Sequence, residues 1–179
     1  MKGFPVPKKE DLSPKNQQLF DEMKSTMGKV PNLYATLAYS ENALDAYLNL
    51  ENSIASLSKK QLEVVNLAVS QVNGCVYCLS AHSVVATMNG FTEAQIRELR
   101  QGTASFDPSL DVLARLSKSL TERRGHVDPE LVNEFLAAGY TRENLVDVIM
   151  LVGDRTISNI LHAVTKVPVD FPAAPALDN

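Results

Sequence analysis

Apolar side chains along the chain recur every three or four residues, the spacing that places them on one face of an α-helix. The clearest apolar stripe follows a capping box at 58–61 and consists of Leu62, Val65, Leu67, Ala68, Val69 and Val72. No segment shows the sustained alternation of apolar and polar residues that is typical of a half-buried strand. The pattern therefore predicts an all-α protein.

Capping residues, prolines and glycines set the boundaries of the predicted helices. The first four are predicted from Ser13-Pro14 to about Gly28, from Pro31, over about 41–56, and from Ser58 to the Asn73-Gly74 dipeptide. The others are predicted over about 75–89, from Thr92, over about 107–123, over about 128–138, and from Thr141 to about Lys166. These segments predict a single-domain bundle of about eight or nine helices within residues 1–167.

Prolines interrupt the last part of the chain. Pro168, Pro172 and Pro175 prevent a helix there and predict an extended tail over residues 168–179. The pattern leaves open whether this tail is free or docked on a neighbouring subunit.

The composition of the 179 residues, 45% hydrophobic and 21% charged, is that of a folded globular protein. A net charge of -4 argues against nucleic acid as a partner, because binding to phosphates needs a basic face. The N-terminal residues lack the apolar core of a signal peptide, and no stretch approaches the ~20 apolar residues of a membrane span. We therefore expect a cytoplasmic protein with no membrane partner.

The candidate chemistry lies in a Cys-x-x-Cys motif. In a reducing compartment, Cys75 and Cys78 are better candidates for catalysis or metal binding than for a structural disulfide. Together with His82 they occupy positions i, i+3 and i+7, which share one face of a helix. The start of that helix lies at or just before Cys75, where the helix dipole favours thiolate. A second thiol three residues away can also convert a sulfenic acid to a disulfide.

A histidine in this position needs a group to orient it, and Glu63 is the candidate carboxylate. In one unbroken helix, Glu63 and His82 would be about 28 Å apart at ~1.5 Å per residue. The break at Asn73-Gly74 predicts a helical hairpin in which the two residues lie at similar depth. Glu63 also interrupts an apolar face, where a buried carboxylate needs a partner.

These residues resemble the signature of the alkylhydroperoxidase D-like proteins, within the carboxymuconolactone decarboxylase superfamily. The signature consists of Glu63, followed twelve residues later by Cys75-Val76-Tyr77-Cys78, and then Ser80-Ala81-His82. The order of the helices over roughly residues 10–170 is similar to that of the peroxidase-related members. The C-terminal segments Ile157-Ser158-Asn159-Ile160-Leu161-His162 and Val169-Asp170-Phe171-Pro172 are similar to theirs as well.

The resemblance implies an all-helical subunit that assembles into trimers or hexamers and reduces hydroperoxides through its cysteine pair. It assigns Cys78 as the attacking cysteine, Cys75 as the resolving partner and proton donor, and Glu63 with His82 as a proton relay. It implies no tightly bound cofactor and no metal, with an external dithiol, such as a lipoyl-bearing protein, as the reductant. One position departs from the pattern: the best-known peroxidase of the family has histidine where this chain has Tyr77.

Other interpretations of the same residues stay open at this stage. The cysteines are also consistent with buried structural thiols, with zinc ligands alongside His82 and Glu63, or with a redox sensor that does not turn over. A lyase acting on a lactone acid is a further alternative, although its acid–base chemistry requires no second thiol. Three residues are expected to contribute to the pocket or to the packing around it: Tyr77, His162 and Asn159.

Overall fold

The computed structural model describes residues 3–177 and contains nine α-helices, one short 3-10 helix and no strand within that range. The α-helices are α1 (Pro14–Met27), α2 (Asn32–Leu37), α3 (Ala43–Ser53), α4 (Lys59–Val72), α5 (Val76–Met88), α6 (Glu93–Gln101), α7 (Pro108–Glu122), α8 (Pro129–Ala137) and α9 (Arg142–Thr165). The 3-10 helix spans Lys9–Asp11. The all-α prediction is confirmed, as is the predicted number of helices. No helix among the described residues has the length and hydropathy needed to cross a membrane.

Side-chain caps begin most of these helices where the sequence predicts them. Ser58 and Thr92 form complete capping boxes, and Asp107 accepts hydrogen bonds from two backbone amides of α7. The largest difference is in α3, predicted over 41–56, which is shorter at both ends. It lacks a side-chain cap at its N-terminus, and the extended backbone of Ile54 ends it.

Helix α4 is the central element of the core. It packs against α5, α6, α7 and α9, and every residue from Glu63 to Ser70 is buried. The main apolar cluster includes Val64, Leu67 and Leu113. A smaller cluster joins α1, α2 and α3 around residues such as Leu44. Because α4 is enclosed by four helices, polar side chains on it must find partners inside the protein.

A tight turn at residues 73–75 folds α5 back against α4. Gly74 adopts a φ of 63°, a conformation that side chains other than glycine rarely tolerate. The Cys75 amide closes the turn by donating to the Ser70 carbonyl at 3.0 Å. Helices α4 and α5 therefore form the hairpin predicted from the Asn73-Gly74 dipeptide.

The segment after α9 is extended and docks on its own chain. Lys29 bridges to the Asp170 carboxylate at 3.0 Å and lies 3.8 Å from the centre of the Phe171 ring. Farther along, the Arg100 side chain donates to the Pro175 carbonyl. The described part of the tail is therefore docked on its own chain, and docking on a neighbouring subunit stays a prediction. Residues 178 and 179 of the predicted tail, like residues 1 and 2, lie outside the described part of the chain.

Candidate active site

The hairpin brings Glu63 and His82 into direct contact. The Nδ1 atom of His82 lies 2.9 Å from Oε2 of Glu63, between α5 and α4. Glu63 is only 4% exposed, so little solvent competes with this contact. A carboxylate bound to one ring nitrogen orients the imidazole and leaves Nε2 free to exchange a proton with a bound molecule.

The second oxygen of Glu63 is held by a buried chain of hydrogen bonds. Asn66 donates from Nδ2 to Oε1 of Glu63 at 3.0 Å. Its own Oδ1 accepts from Nε of Arg155, on α9, at 3.1 Å. The carboxylate that orients His82 is thus linked through Asn66 to a guanidinium on a different helix.

Arg155 lies at the centre of a buried group of charges. Its Nη2 atom is 2.8 Å from Oδ2 of Asp154 and 3.1 Å from Oε1 of Glu51. Glu51 also accepts a hydrogen bond of 2.9 Å from the Tyr34 hydroxyl. Burial raises the pKa of Asp154 to about 6, because desolvation penalises its charged form more than Arg155 stabilises it. The arrangement holds one permanent positive charge beside the cysteine pair.

The two cysteines are free and buried, and their environments differ. Cys75 is the N-cap of α5, and its Sγ accepts a hydrogen bond from the Cys78 amide at 3.4 Å. A hydrogen bond from the Cys75 thiol lowers the pKa of Cys78 to about 5 against the effect of burial, and the charges of Arg155 and His82 act in the same direction. The pKa of Cys75 is raised by the same hydrogen bond and by burial. Cys78 is therefore the thiolate and Cys75 the protonated thiol at neutral pH.

A cavity of about 120 Å³ opens onto Cys78. His82, Arg155 and Ser158 contribute polar groups to its wall, and the Ser158 hydroxyl lies 3.7 Å from the Cys78 sulfur. The rest of the wall is apolar or aromatic and consists of Met27, Pro31, Leu33, Tyr34, Leu37, Tyr47, Tyr77, Ala81, Val85 and Phe171. Cys75 does not line this cavity. A small molecule entering it therefore meets Cys78 first.

Of the three residues predicted around the pocket, Tyr77 alone lines the cavity. Its hydroxyl accepts from the Leu33 amide at 3.1 Å and donates to Oδ1 of Asp170 at 2.5 Å, which ties the tail and α2 to the site. His162 does not reach the cavity; its ring packs 5.4 Å from the ring of Tyr77. Asn159 lies outside the cavity too, because it accepts from Asn73 at 2.9 Å and holds α9 to the turn.

Arg155, Asn66 and Ser158 are not among the site residues predicted from the sequence. Asn66 and Ser158 are ordinary polar residues, and nothing local distinguishes them. The Asp154-Arg155 pair does carry a signal, because two adjacent charges interrupt the otherwise apolar middle of α9. Arg155 contacts Asn66, which is 89 residues away in the sequence, and this contact depends on how α9 packs against α4.

The geometry bears on the zinc alternative. Within residues 3–177, no three Cys, His, Asp or Glu side chains converge on a point that a metal ion could occupy. Of the four residues considered as ligands, Glu63 and His82 bind each other. Cys75 is turned to the backbone amide of Cys78 and stays out of the cavity. The arrangement therefore gives the zinc interpretation no support.

The lowered pKa of Cys78 predicts an unusual pH profile of alkylation. For the reduced protein, we expect the rate with iodoacetamide to rise through about pH 5 and to stay level from there to pH 8, because only the thiolate reacts. The site of alkylation is read by mass spectrometry at each pH. In the control variant Cys78→Ser, the buried Cys75 is expected to react slowly below pH 8. An inflection for Cys78 near ~8.5, the value of a free thiol, would contradict the assignment.

Tyr77 is expected to stabilise the wall of the cavity. In Tyr77→Phe, the Leu33 amide loses its acceptor and Asp170 loses a donor, and we expect the free energy of unfolding to fall by about 1–3 kcal/mol. Urea denaturation measures this change. The matched control is Tyr39→Phe, since the hydroxyl of Tyr39 donates to the Pro5 carbonyl at the exposed surface. Equal losses in the two variants would mean that the Tyr77 hydroxyl has no special role.

Fold and site together define an all-helical protein with a buried dithiol, in which an acid–histidine pair on a helical hairpin adjoins the reactive thiol. Residues 40–109 match the Carboxymuconolactone decarboxylase family. That segment contains Glu63, both cysteines and His82. The family match and the shared fold agree with the resemblance seen in the sequence, to the alkylhydroperoxidase D-like proteins of the carboxymuconolactone decarboxylase superfamily.

Proteins of similar fold cover nearly the whole chain. A peroxidase-related protein of uncharacterized function from Ralstonia eutropha JMP134, described as an alkylhydroperoxidase AhpD core, superposes with a TM-score of 0.84 at 20% identity over 93% of this chain and 91% of its own. The debrominase Bmp8, as a cysteine-to-alanine variant in complex with 2,3,4-tribromopyrrole, gives 0.77 at 16% identity over 95% and 92%. The uncharacterized protein YdfG of Bacillus subtilis (strain 168) is 25% identical over 100 residues, 55% of this chain and 68% of its own.

Proposed function

We propose that this protein is a thiol-dependent peroxidase that reduces small organic hydroperoxides. The observation that carries the proposal is the position of the Cys78 thiolate, at the wall of an apolar cavity with a second, protonated thiol directly behind it. A thiolate so placed is a nucleophile, and the adjacent thiol supplies the second electron pair needed for a two-electron reduction.

In the first step, the Cys78 thiolate attacks the terminal oxygen of the hydroperoxide. The S–O bond forms and the O–O bond breaks, so that Cys78 becomes a sulfenic acid and an alkoxide leaves. The alkoxide takes up the proton that had left Cys78, which the Glu63–His82 pair holds at the cavity wall. Glu63 keeps the imidazole oriented during this transfer.

In the second step, Cys75 attacks the sulfur of the sulfenic acid. The disulfide forms, hydroxide leaves, and the proton of the Cys75 thiol completes a water molecule. One hydroperoxide and two thiols thus give one alcohol, one water and one disulfide. An external dithiol, for which a lipoyl-bearing protein is our candidate, then returns the site to its reduced state by thiol–disulfide exchange.

The size and lining of the cavity favour a small, mainly apolar substrate. A volume of about 120 Å³ suits an alkyl or aryl hydroperoxide of a few carbon atoms better than a lipid chain. The hydroxyl of Tyr47, in the wall, has no hydrogen-bond partner among the described residues. A polar oxygen of a bound substrate would provide one.

We propose that the enzyme acts as a cytoplasmic homo-oligomer, a trimer or a hexamer.

The test is dithiol-dependent reduction of tert-butyl hydroperoxide and hydrogen peroxide by the wild-type protein. We expect turnover with both, and the organic substrate to be preferred. In Cys75→Ser without added dithiol, we expect a single burst of one oxidised thiol per chain and a sulfenic acid that dimedone traps. Oxidation that stops after one equivalent in the wild type, with dithiol in excess, would instead mean a redox sensor and would refute the peroxidase.

A second candidate function is reductive dehalogenation of a small halogenated ring. The likeness in fold to the debrominase Bmp8 favours it, as do the aromatic side chains of Tyr34, Tyr47, Tyr77 and Phe171 around the cavity. The balanced reaction replaces bromine by hydrogen in the ring, oxidises both thiols to the disulfide, and releases bromide and a proton. Bromide released from 2,3,4-tribromopyrrole, measured by ion chromatography and compared with the rate of peroxide reduction, separates the two functions. A lactone lyase is the weakest alternative, because its chemistry uses neither thiol.

A further inference from the structure

The outward face of α9 is apolar along almost its entire length. From residue 146 to residue 164, every exposed position is apolar: Val146, Ile149, Met150, Gly153, Ile157, Ile160, Ala163 and Val164. The large side chains among them are between 42% and 64% exposed. We call this surface the α9 face.

This pattern is the reverse of an ordinary surface helix, whose polar residues face water. In α9, the polar and charged side chains Asp154, Arg155 and Ser158 are buried inside the subunit, and the last two line the cavity. The α9 face is about 27 Å long at ~1.5 Å per residue, and contiguous apolar patches larger than a few hundred Å² are rare on monomers. A face of this kind is covered in the working protein.

The spacing along the α9 face is symmetric about Gly153. Val146 and Ile160 each lie seven residues from it, and Ile149 and Ile157 each lie four residues from it. A second α9 running in the opposite direction about this centre places Val146 against Ile160 and Ile149 against Ile157. A two-fold interface requires a surface that is complementary to itself in this way. We propose that the α9 face binds the α9 face of a second copy of this chain, antiparallel about a two-fold axis at Gly153.

The glycine at the centre supports this pairing. A Cβ atom at residue 153 would meet nothing within 4 Å, so packing within the subunit does not require glycine there. Glycine inside a helix costs about 1 kcal/mol relative to alanine, and its use is a close approach of backbones. A groove of about 540 Å³ between α9 and the end of α7 adjoins it, lined by residues that include Leu120, Ile149 and Thr156. This groove gives the side chains of a crossing helix room to enter.

The charges at the ends of α9 and the extent of its apolar surface both fit a second copy of this chain. Glu143 and Lys166 are exposed at opposite ends of α9, and neither takes part in an ion pair among residues 3–177. Antiparallel pairing brings Glu143 of each copy level with residue 163 of the other, about 4.5 Å along the axis from Lys166 and within reach of its side chain. Stable interfaces bury roughly 800 Å² on each partner. The α9 face and the groove share Ile149 and Gly153, so together they form one continuous surface for such an interface.

The pairing has a consequence for the site, because the opposite side of α9 carries Arg155 and Ser158 into the cavity wall. A second copy would therefore support the wall that holds these two residues. An isolated two-fold pair is a dimer, and three such pairs make a hexamer. A trimer without a two-fold axis would leave the α9 face exposed.

Cysteine cross-linking tests the axis directly, in a background with Cys75→Ser and Cys78→Ser. Gly153→Cys is expected to form a disulfide-linked dimer on oxidation, because the two copies of residue 153 meet at the axis. Val146→Cys alone is expected to form none, since its two copies lie about 21 Å apart and a disulfide needs Cα atoms within about 7 Å. Combining Val146→Cys with Ile160→Cys restores the link. No cross-link at residue 153, or an equally strong one for Val146→Cys alone, would overturn the proposal.

The mass in solution provides an independent test by sedimentation velocity. We expect Ile157→Glu to halve the mass of the wild-type assembly, because each copy then buries a carboxylate against the apolar Ile149 of the other. Met88→Glu is the matched control: it introduces the same charge at an exposed apolar residue of α5 and is expected to leave the mass unchanged. Circular dichroism verifies that both variants are helical. A monomeric wild type, or an Ile157→Glu variant of undiminished mass, would refute the pairing.

Discussion

Replacing Cys78 by serine is expected to reduce dithiol-dependent hydroperoxide turnover to the background rate, a loss of at least about three orders of magnitude. Cys78 is the thiol that lines the cavity, and its pKa is lowered to about 5, so it is the nucleophile present at neutral pH. The hydroxyl of a serine stays protonated and does not attack an O–O bond. The measurement is peroxide consumption under saturating dithiol.

The control for this prediction is Cys75→Ser, which leaves the nucleophile in place. Without added dithiol, we expect it to reduce one equivalent of hydroperoxide and to accumulate the sulfenic acid, because the chain has no second thiol to resolve it. The two variants thus separate the first step from the second. If Cys78→Ser gave the single burst and Cys75→Ser none, the roles of the two cysteines would be exchanged.

Replacing Arg155 by methionine is expected to lower the free energy of unfolding by about 3–5 kcal/mol. The guanidinium is the buried cation between Glu51 and Asp154, and its removal leaves two carboxylates without their partner. Asn66 also loses the donor that holds it against Glu63. Urea denaturation monitored by circular dichroism measures the loss.

The same variant is expected to change the chemistry of Cys78. The charge of Arg155 helps to lower the pKa of this thiol, so Arg155→Met should shift the alkylation profile toward higher pH. Reactivity would then fall at pH values between the old inflection and the new one. Arg155→Lys keeps the charge but not the planar set of donors. We expect it to preserve the lowered pKa of Cys78 better than it preserves the free energy of unfolding. An unchanged profile in Arg155→Met would show that the charge of Arg155 does not contribute to the lowered pKa of Cys78.

The residues of the site come from three helices, so their distances depend on how these helices are placed. The nucleophile and His82 lie on α5, Glu63 and Asn66 on α4, and Arg155 on α9. The turn of the hairpin sets the distance between α4 and α5, whereas the packing of the core sets their distance to α9. A change that moves α9 is therefore expected to alter the reactivity of Cys78 without contacting it.

The features that can be predicted from the sequence are those that depend on near neighbours along the chain. Helix boundaries follow from caps, glycines and prolines, and they act within a turn or two. The hairpin follows from Asn73-Gly74. Glu63 and His82 are nineteen residues apart in the sequence, and this one turn brings them into contact. The spacing of Cys75 and Cys78 likewise predicts a dithiol without knowledge of the rest of the fold.

Tertiary structure alone decided the features that join distant segments. Arg155 meets Asn66 across 89 residues, and no local pattern specifies which helix α9 packs against. The same packing turns His162 and Asn159 away from the cavity, although both lie on the helix that lines it. The tail docks through Tyr77 and Asp170, 93 residues apart. Such contacts arise because folding buries apolar area in a compact core, and this driving force has no preferred direction. The sequence pattern therefore indicates that these side chains are buried, but it does not indicate which residues they contact.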